Sequence, residues 1–252
     1  MPDPSATSTT VLLVALVVTF AAMVKATTGF GFGLVAAPLL LLFLDPRLVV
    51  PLLVPLTFVL DLLIVREAWR SIEFSRVLPM VAAGAVGVPL GNYVLLVAPA
   101  ESLKVGIAGL ILAFALVLLL GFRLPVPRER VGAAGAGFAS GLLLTSAGIP
   151  GPPMALFLVN QRYERDRMRR SLAAFFVLLD IVGIVSLLGS GAMSARTLAV
   201  DALVAPLVVL GYVVATVAVV PRIRSTAFHR LATLLVAATA LTAIVGAVAR
   251  LG

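Results

Sequence analysis

Lys25, Thr27 and Thr28 lead into the alternating run Gly29-Phe30-Gly31-Phe32-Gly33, and Thr145, Ser146, Gly148 and Gly151, interleaved with Pro150, Pro152 and Pro153, form a second such stretch 118 positions later. One ammonium, several hydroxyls and backbone that glycine leaves open to close approach are all hydrogen-bond donors. Together they suit an anion. Where a helix restarts within such a stretch, its first N–H groups lack intrahelical partners and its positive dipole end faces the gap, which strengthens that reading. Prolines also suit a helix start, where a missing N–H costs little. Asp61 and Asp180 lie in apolar stretches as well, and they either carry protons for coupling or form a structural ion pair with Lys25.

Composition determines which elements can position these groups. With 62% hydrophobic and 12% charged residues among 252, the chain is an all-α polytopic membrane protein. Its net charge of +8 is distributed over short connectors, a topology signal rather than a nucleic-acid footprint. There is no cysteine, and the single histidine, His229, falls in an Arg-rich connector. Neither a metal site nor a cofactor is expected. Asp201, Glu101 and His229 are scattered over different connectors, so an enzyme is not expected either. No Lys or Arg precedes the first apolar run, and the first helix is expected to be retained rather than cleaved as a signal peptide.

Apolar runs able to cross about 30 Å of hydrocarbon fall at 11–44, 48–65, 77–97, 103–122, 131–159, 171–188, 198–220 and 231–248. The first and fifth are too long for one straight crossing, and both contain the breaks. Each is a tilted, broken span or a hairpin that enters and leaves on one face. If all eight cross, basic residues divide eight against ten between the faces; if the first and fifth are hairpins, the connectors at 66–76, 121–130, 160–170 and 221–230 share one face and hold fourteen against four. The hairpin plan follows, with the basic face cytoplasmic and both termini outside.

An internal repeat points the same way. At an offset of 118, Phe20, Thr27 and Gly33 meet Phe138, Thr145 and Gly151, and Phe58-Val59-Leu60 meets Phe176-Val177-Leu178; small slips align Asp61 with Asp180 and Gly91 with Gly211. The halves 1–125 and 126–252 each contain a hairpin and three crossings. Three is odd, so the second repeat is expected to be inverted, with the hairpin tips meeting near the midplane. Asn92 and Tyr212, aligned after Gly91 and Gly211, serve as helix-to-helix hydrogen bonds or as secondary ligand contacts. Close helix packing is a competing use for the glycines beside Phe30 and Phe32.

On Thr28-Gly-Phe-Gly-Phe-Gly33 with Pro38, the degenerate copy at 145–153 and the duplicated eight-segment plan, the chain resembles the TauE/SafE family of sulfite exporters, also called the toluenesulfonate uptake permease family. That resemblance implies a secondary transporter of sulfite or small organosulfur anions in a bacterial inner membrane, with the lipid bilayer as its surroundings. Only the glycine-rich breaks carry over as functional positions, and the prolines of the second depart from the cleaner family pattern. An anion channel, or a permease for another small anion, is the alternative. A homo-oligomer is compatible with the plan.

Overall fold

The computed structural model describes residues 4–69, 72–120, 128–161 and 164–219, and the expected last segment, 231–248, lies outside them. The described residues form helices α1 (Pro4–Thr28), α2 (Phe32–Leu41), α3 (Pro46–Ala68), α4 (Phe74–Val97), α5 (Ala100–Leu120), α6 (Glu129–Ala147), α7 (Gly151–Asn160), α8 (Arg165–Gly189) and α9 (Ala195–Val214), which ends in a π-turn, Ala215–Val219. No strand occurs among them. Six helical stretches, at 9–28, 46–67, 74–97, 100–117, 167–189 and 195–218, are long and apolar enough to cross a membrane. This is an all-helical, multi-pass membrane protein.

The first and fifth segments are each two helices rather than one. Their arms are uneven: α1 has 25 residues and α2 has 10, while α6 has 19 and α7 has 10. At 1.5 Å per residue α1 reaches roughly 37 Å, whereas α2 and α7 reach only about 15 Å. Thr10 and Val14 of α1 line one cavity with Leu44, Leu48 and Arg196. The start of α1 and the chain just after α2 therefore lie at the same end of the bundle.

Glycines set the tightest crossings. On α4, Gly84, Gly87 and Gly91 lie against the backbone of Gly137, Phe138 and Leu142 on α6, where added Cβ atoms would collide with carbonyl oxygens. Small residues permit such backbone approach, and dispersion then holds the pair without help from a hydrophobic effect between helices. Gly211 brings α9 equally close to Thr19 of α1, whereas Gly106 and Gly109 on the peripheral α5 face open space. At the centre α3 and α8 run antiparallel: Arg169 approaches Glu67 at 3.7 Å, and Gly183 lies beside Val54. Leu12, Leu16, Val86, Val97, Val185 and Leu203 point outward, as an apolar solvent requires.

Asp45 caps α3, its side chain accepting from the Arg47 N–H at 2.8 Å, and Pro46 occupies the first helical position. The same Arg47 then donates to the carbonyls of Leu96 and Ala98 at 3.0 and 3.1 Å, tying the start of α3 to the end of α4.

Candidate functional site

The first break is built by two glycines in the left-handed region, Gly29 at φ 82° and Gly31 at φ 97°. Gly29 closes α1 by donating to the Lys25 carbonyl at 2.8 Å, and its open side lies against Arg169. Thr28 Oγ1 accepts from the Phe30 N–H at 3.2 Å and also contacts the Phe30 carbonyl, which fixes the turn. The first intrahelical bond of α2 runs from Val35 N to Gly31 O at 3.1 Å. The N–H groups of Phe32, Gly33 and Leu34 precede it, as at any helix start.

The second break uses one left-handed glycine, Gly148 at φ 71°. Its N–H donates to Leu144 O at 3.1 Å, and Ile149 N–H reaches back to Leu143 O at 3.2 Å, nested bonds that satisfy two of the last carbonyls of α6. Helix α7 then begins at Gly151-Pro152-Pro153. Two of those three positions have no N–H to offer.

The two breaks abut. An added Cβ on Gly33 would strike the Gly148 carbonyl oxygen, and one on Gly151 would sit 3.4 Å from Phe30 Cβ. Between them lies a cavity of about 20 Å³, lined by Lys25, Phe30, Gly31, Phe32, Gly33, Thr57, Pro150, Gly151 and Phe176. That is room for a water-sized molecule. The start of α2 and the start of α7 both border this space, so two positive helix ends converge on it.

Lys25, 2% exposed, reaches Asp61 Oδ2 at 2.6 Å, and its Nζ stands 5.4 Å from the centre of the Phe176 ring. Desolvated over an aromatic face, the ammonium gains a further attraction. Asp61 and Asp180 are both fully buried. The side-chain hydroxyls of the breaks face backbone rather than the cavity. Thr27 and Thr28 donate to Val24 O at 2.7 and 3.0 Å, Ser146 to Leu142 O at 2.7 Å, and Thr145 across to Val88 O of α4 at 2.7 Å.

Of the residues singled out in the sequence, Lys25, Phe30, Gly31, Phe32, Gly33 and Gly151 therefore line one cavity, while Thr27, Thr28, Gly29, Thr145, Ser146 and Gly148 shape the turns around it. Asn92 and Tyr212 lie elsewhere and join helices. Asn92 Nδ2 donates to the carbonyl and hydroxyl of Ser186, both at 3.1 Å. Tyr212 donates to Glu67 at 3.0 Å and accepts from Arg169 at 2.8 Å. Asp201, read from sequence as a connector residue, is instead buried inside α9. Thr57 and Phe176 were not anticipated. Each stands four residues before an aspartate, Asp61 or Asp180, and so shares its helix face; that spacing was the available signal.

The sulfite exporter TauE/SafE family model matches residues 14–243. The chain belongs to the TauE/SafE sulfite exporter family. No curated protein and no solved structure matches it. Membership makes this TauE/SafE protein a member of a membrane transporter family rather than of an enzyme family, consistent with its apolar helices.

Proposed function

We propose that this protein is a secondary transporter of sulfite or a small sulfonate, and that the anion binds between the two breaks. The observation that carries this reading is the convergence of two helix N-termini and Lys25 on one small cavity. A sulfonate presents several acceptor oxygens, and charge-assisted N–H and ammonium donors match them. The cavity's small volume favours a carrier: the tips must part to admit an anion, and parting on alternate sides gives alternating access.

Reciprocal contacts support an inverted repeat. Gly29 lies against Arg169 near the start of α8, and at a shift of 119 its counterpart Gly148 lies against Leu53 and, at 3.9 Å, Val50 near the start of α3. The counterpart helices α3 and α8 are antiparallel, so a two-fold axis between them exchanges α1–α2 with α6–α7, and the two hairpins open toward opposite ends. On this plan the halves divide within 121–127, and fourteen basic residues against four place both termini outside a bacterial inner membrane. Outward movement of an uncoupled anion gains roughly 2.3 kcal/mol per charge per 100 mV, which favours export.

The test is thermal stabilisation of the purified protein by sulfite, sulfate, thiosulfate, taurine and an aromatic sulfonate, followed by flux in liposomes. Stabilisation by sulfite or a sulfonate with saturating flux is expected. Flux that rises linearly with concentration would indicate a channel, and stabilisation by none of these anions would remove the reading.

A further inference from the structure

The buried charge at the centre of the bundle does not balance. Lys25 supplies one ammonium, Asp61 and Asp180 supply two carboxyls, and all three are at most 2% exposed. Asp61 Oδ2 has Lys25 at 2.6 Å, but Asp61 Oδ1 and both oxygens of Asp180 have no hydrogen-bond partner among the described residues. Lys25 of α1, its Nζ 5.4 Å from the ring of Phe176 one turn before Asp180, and its partner Asp61 of α3 bring charge to this turn of α8; α4, α6 and α7 bring none to it among the described residues. The shift of 119 that relates Asp61 to Asp180 relates Lys25 to Leu144. The place that holds the ammonium in the first repeat thus holds an aliphatic side chain in the second, and no second ammonium comes from it. A bare carboxylate so placed, with another beside it, is unfavourable until one more positive charge arrives.

A metal cation would need several oxygen ligands. The residues one turn either side of Asp180 on its own helix are Phe176 and Ile184, which supply none from their side chains. A proton needs a single oxygen. Resting on the anion reading above, we propose that Asp180, together with the Lys25–Asp61 pair, is a proton-binding site that couples proton and anion binding. The step is RCOO⁻ + H⁺ → RCOOH at Asp180, and it takes the three groups from a net charge of −1 to 0. Lys25 belongs both to this group and to the cavity between the breaks, so removing one negative charge beside it strengthens anion binding. By reciprocity the anion strengthens proton binding equally. A singly charged sulfonate accompanied by one proton crosses without net charge. The membrane potential then loses its hold, and the proton and substrate gradients set the direction.

The test is calorimetric binding of methanesulfonate or benzenesulfonate, both fully ionised throughout, to the full chain between pH 5.5 and 8.5 in buffers of different ionisation enthalpy. Uptake of close to one proton per anion is expected, with Kd weakening by up to about tenfold per pH unit at the upper end. Asp180→Asn is expected to bind at every pH as the unmodified protein does at low pH. Binding without proton uptake and with a flat Kd overturns the proposal, as does a pH slope retained in Asp180→Asn or lost affinity when choline replaces sodium. If Asp180→Asn does not fold, the proton count on the unmodified protein decides alone. Absence of binding by these sulfonates and by sulfite at every pH instead removes the anion reading, and the coupling proposal with it.

Discussion

The glycine break at 29–33 and the proline break at 148–153 share a backbone plan and differ in chemistry. Each ends a long helix at a left-handed glycine, starts a ten-residue helix and leans on a central helix through that glycine, on Arg169 in one case and on Leu53 in the other. The first then offers three N–H groups at the start of α2 and an ammonium one turn upstream. The second offers one N–H, two prolines and Leu144 in the place of Lys25. On the proposed reading the shared backbone plan lets the tips meet, and the different side chains would give the anion a preferred side.

The strongest contrast is between Lys25 and its counterpart. Lys25→Met strands a buried Asp61 carboxylate and is expected to cost about 3–5 kcal/mol, whereas Leu144→Met conserves volume and should cost less than about 1.5 kcal/mol; unfolding in detergent compares them. Next come the facing glycines. Gly33→Ala drives a methyl into the Gly148 carbonyl oxygen, which the backbone cannot relieve without parting the breaks, so about 1–3 kcal/mol of stability and most sulfonate binding should be lost. Gly151→Ala meets only ordinary contact with Phe30 and should stay within about 0.5 kcal/mol. Equal effects of these two substitutions would erase the difference between the breaks. Gly29→Ala and Gly148→Ala both force a side chain into the left-handed region, at about 1–2 kcal/mol each; Gly29→Ala also presses on the Arg169 backbone at 3.2 Å, whereas Gly148→Ala meets the movable end of Leu53, so thermal unfolding should show the larger loss for Gly29→Ala. The smallest effect belongs to Pro152→Ala. It returns an N–H to the second break, and a gain of about 0.5–1 kcal/mol in sulfonate affinity is the expected yield of one modest hydrogen bond.

Much of this arrangement is legible in the sequence because membrane helices announce themselves by length. The 34-residue span of 11–44 was too long for a single crossing, and the glycines told where it would break. Uneven arms were not legible, because Leu42, Phe43 and Leu44 are as apolar as α2 itself and hydropathy does not register where a helix unwinds. Lys25 was readable as one member of a pair, since a lone buried ammonium is costly. Its choice of Asp61 over Asp180 depends on helix rotation, which one sequence does not encode locally. The hydroxyls misled for a simple reason: Thr27, Thr28 and Ser146 satisfy themselves on carbonyls within their own helix or turn, an option open to any Ser or Thr in a helix. Thr145 instead serves the α4–α6 crossing.

On the proposed reading the first break, through Lys25 and the start of α2, holds the anion. Saturable sulfonate flux in liposomes carrying the double variant Lys25→Met, Asp61→Asn tests it most directly, because removing both charges together leaves no stranded carboxylate at Asp61. The expected result is a protein whose thermal stability lies near that of the unmodified chain and whose flux is lost. Normal saturable flux from the folded double variant would contradict it.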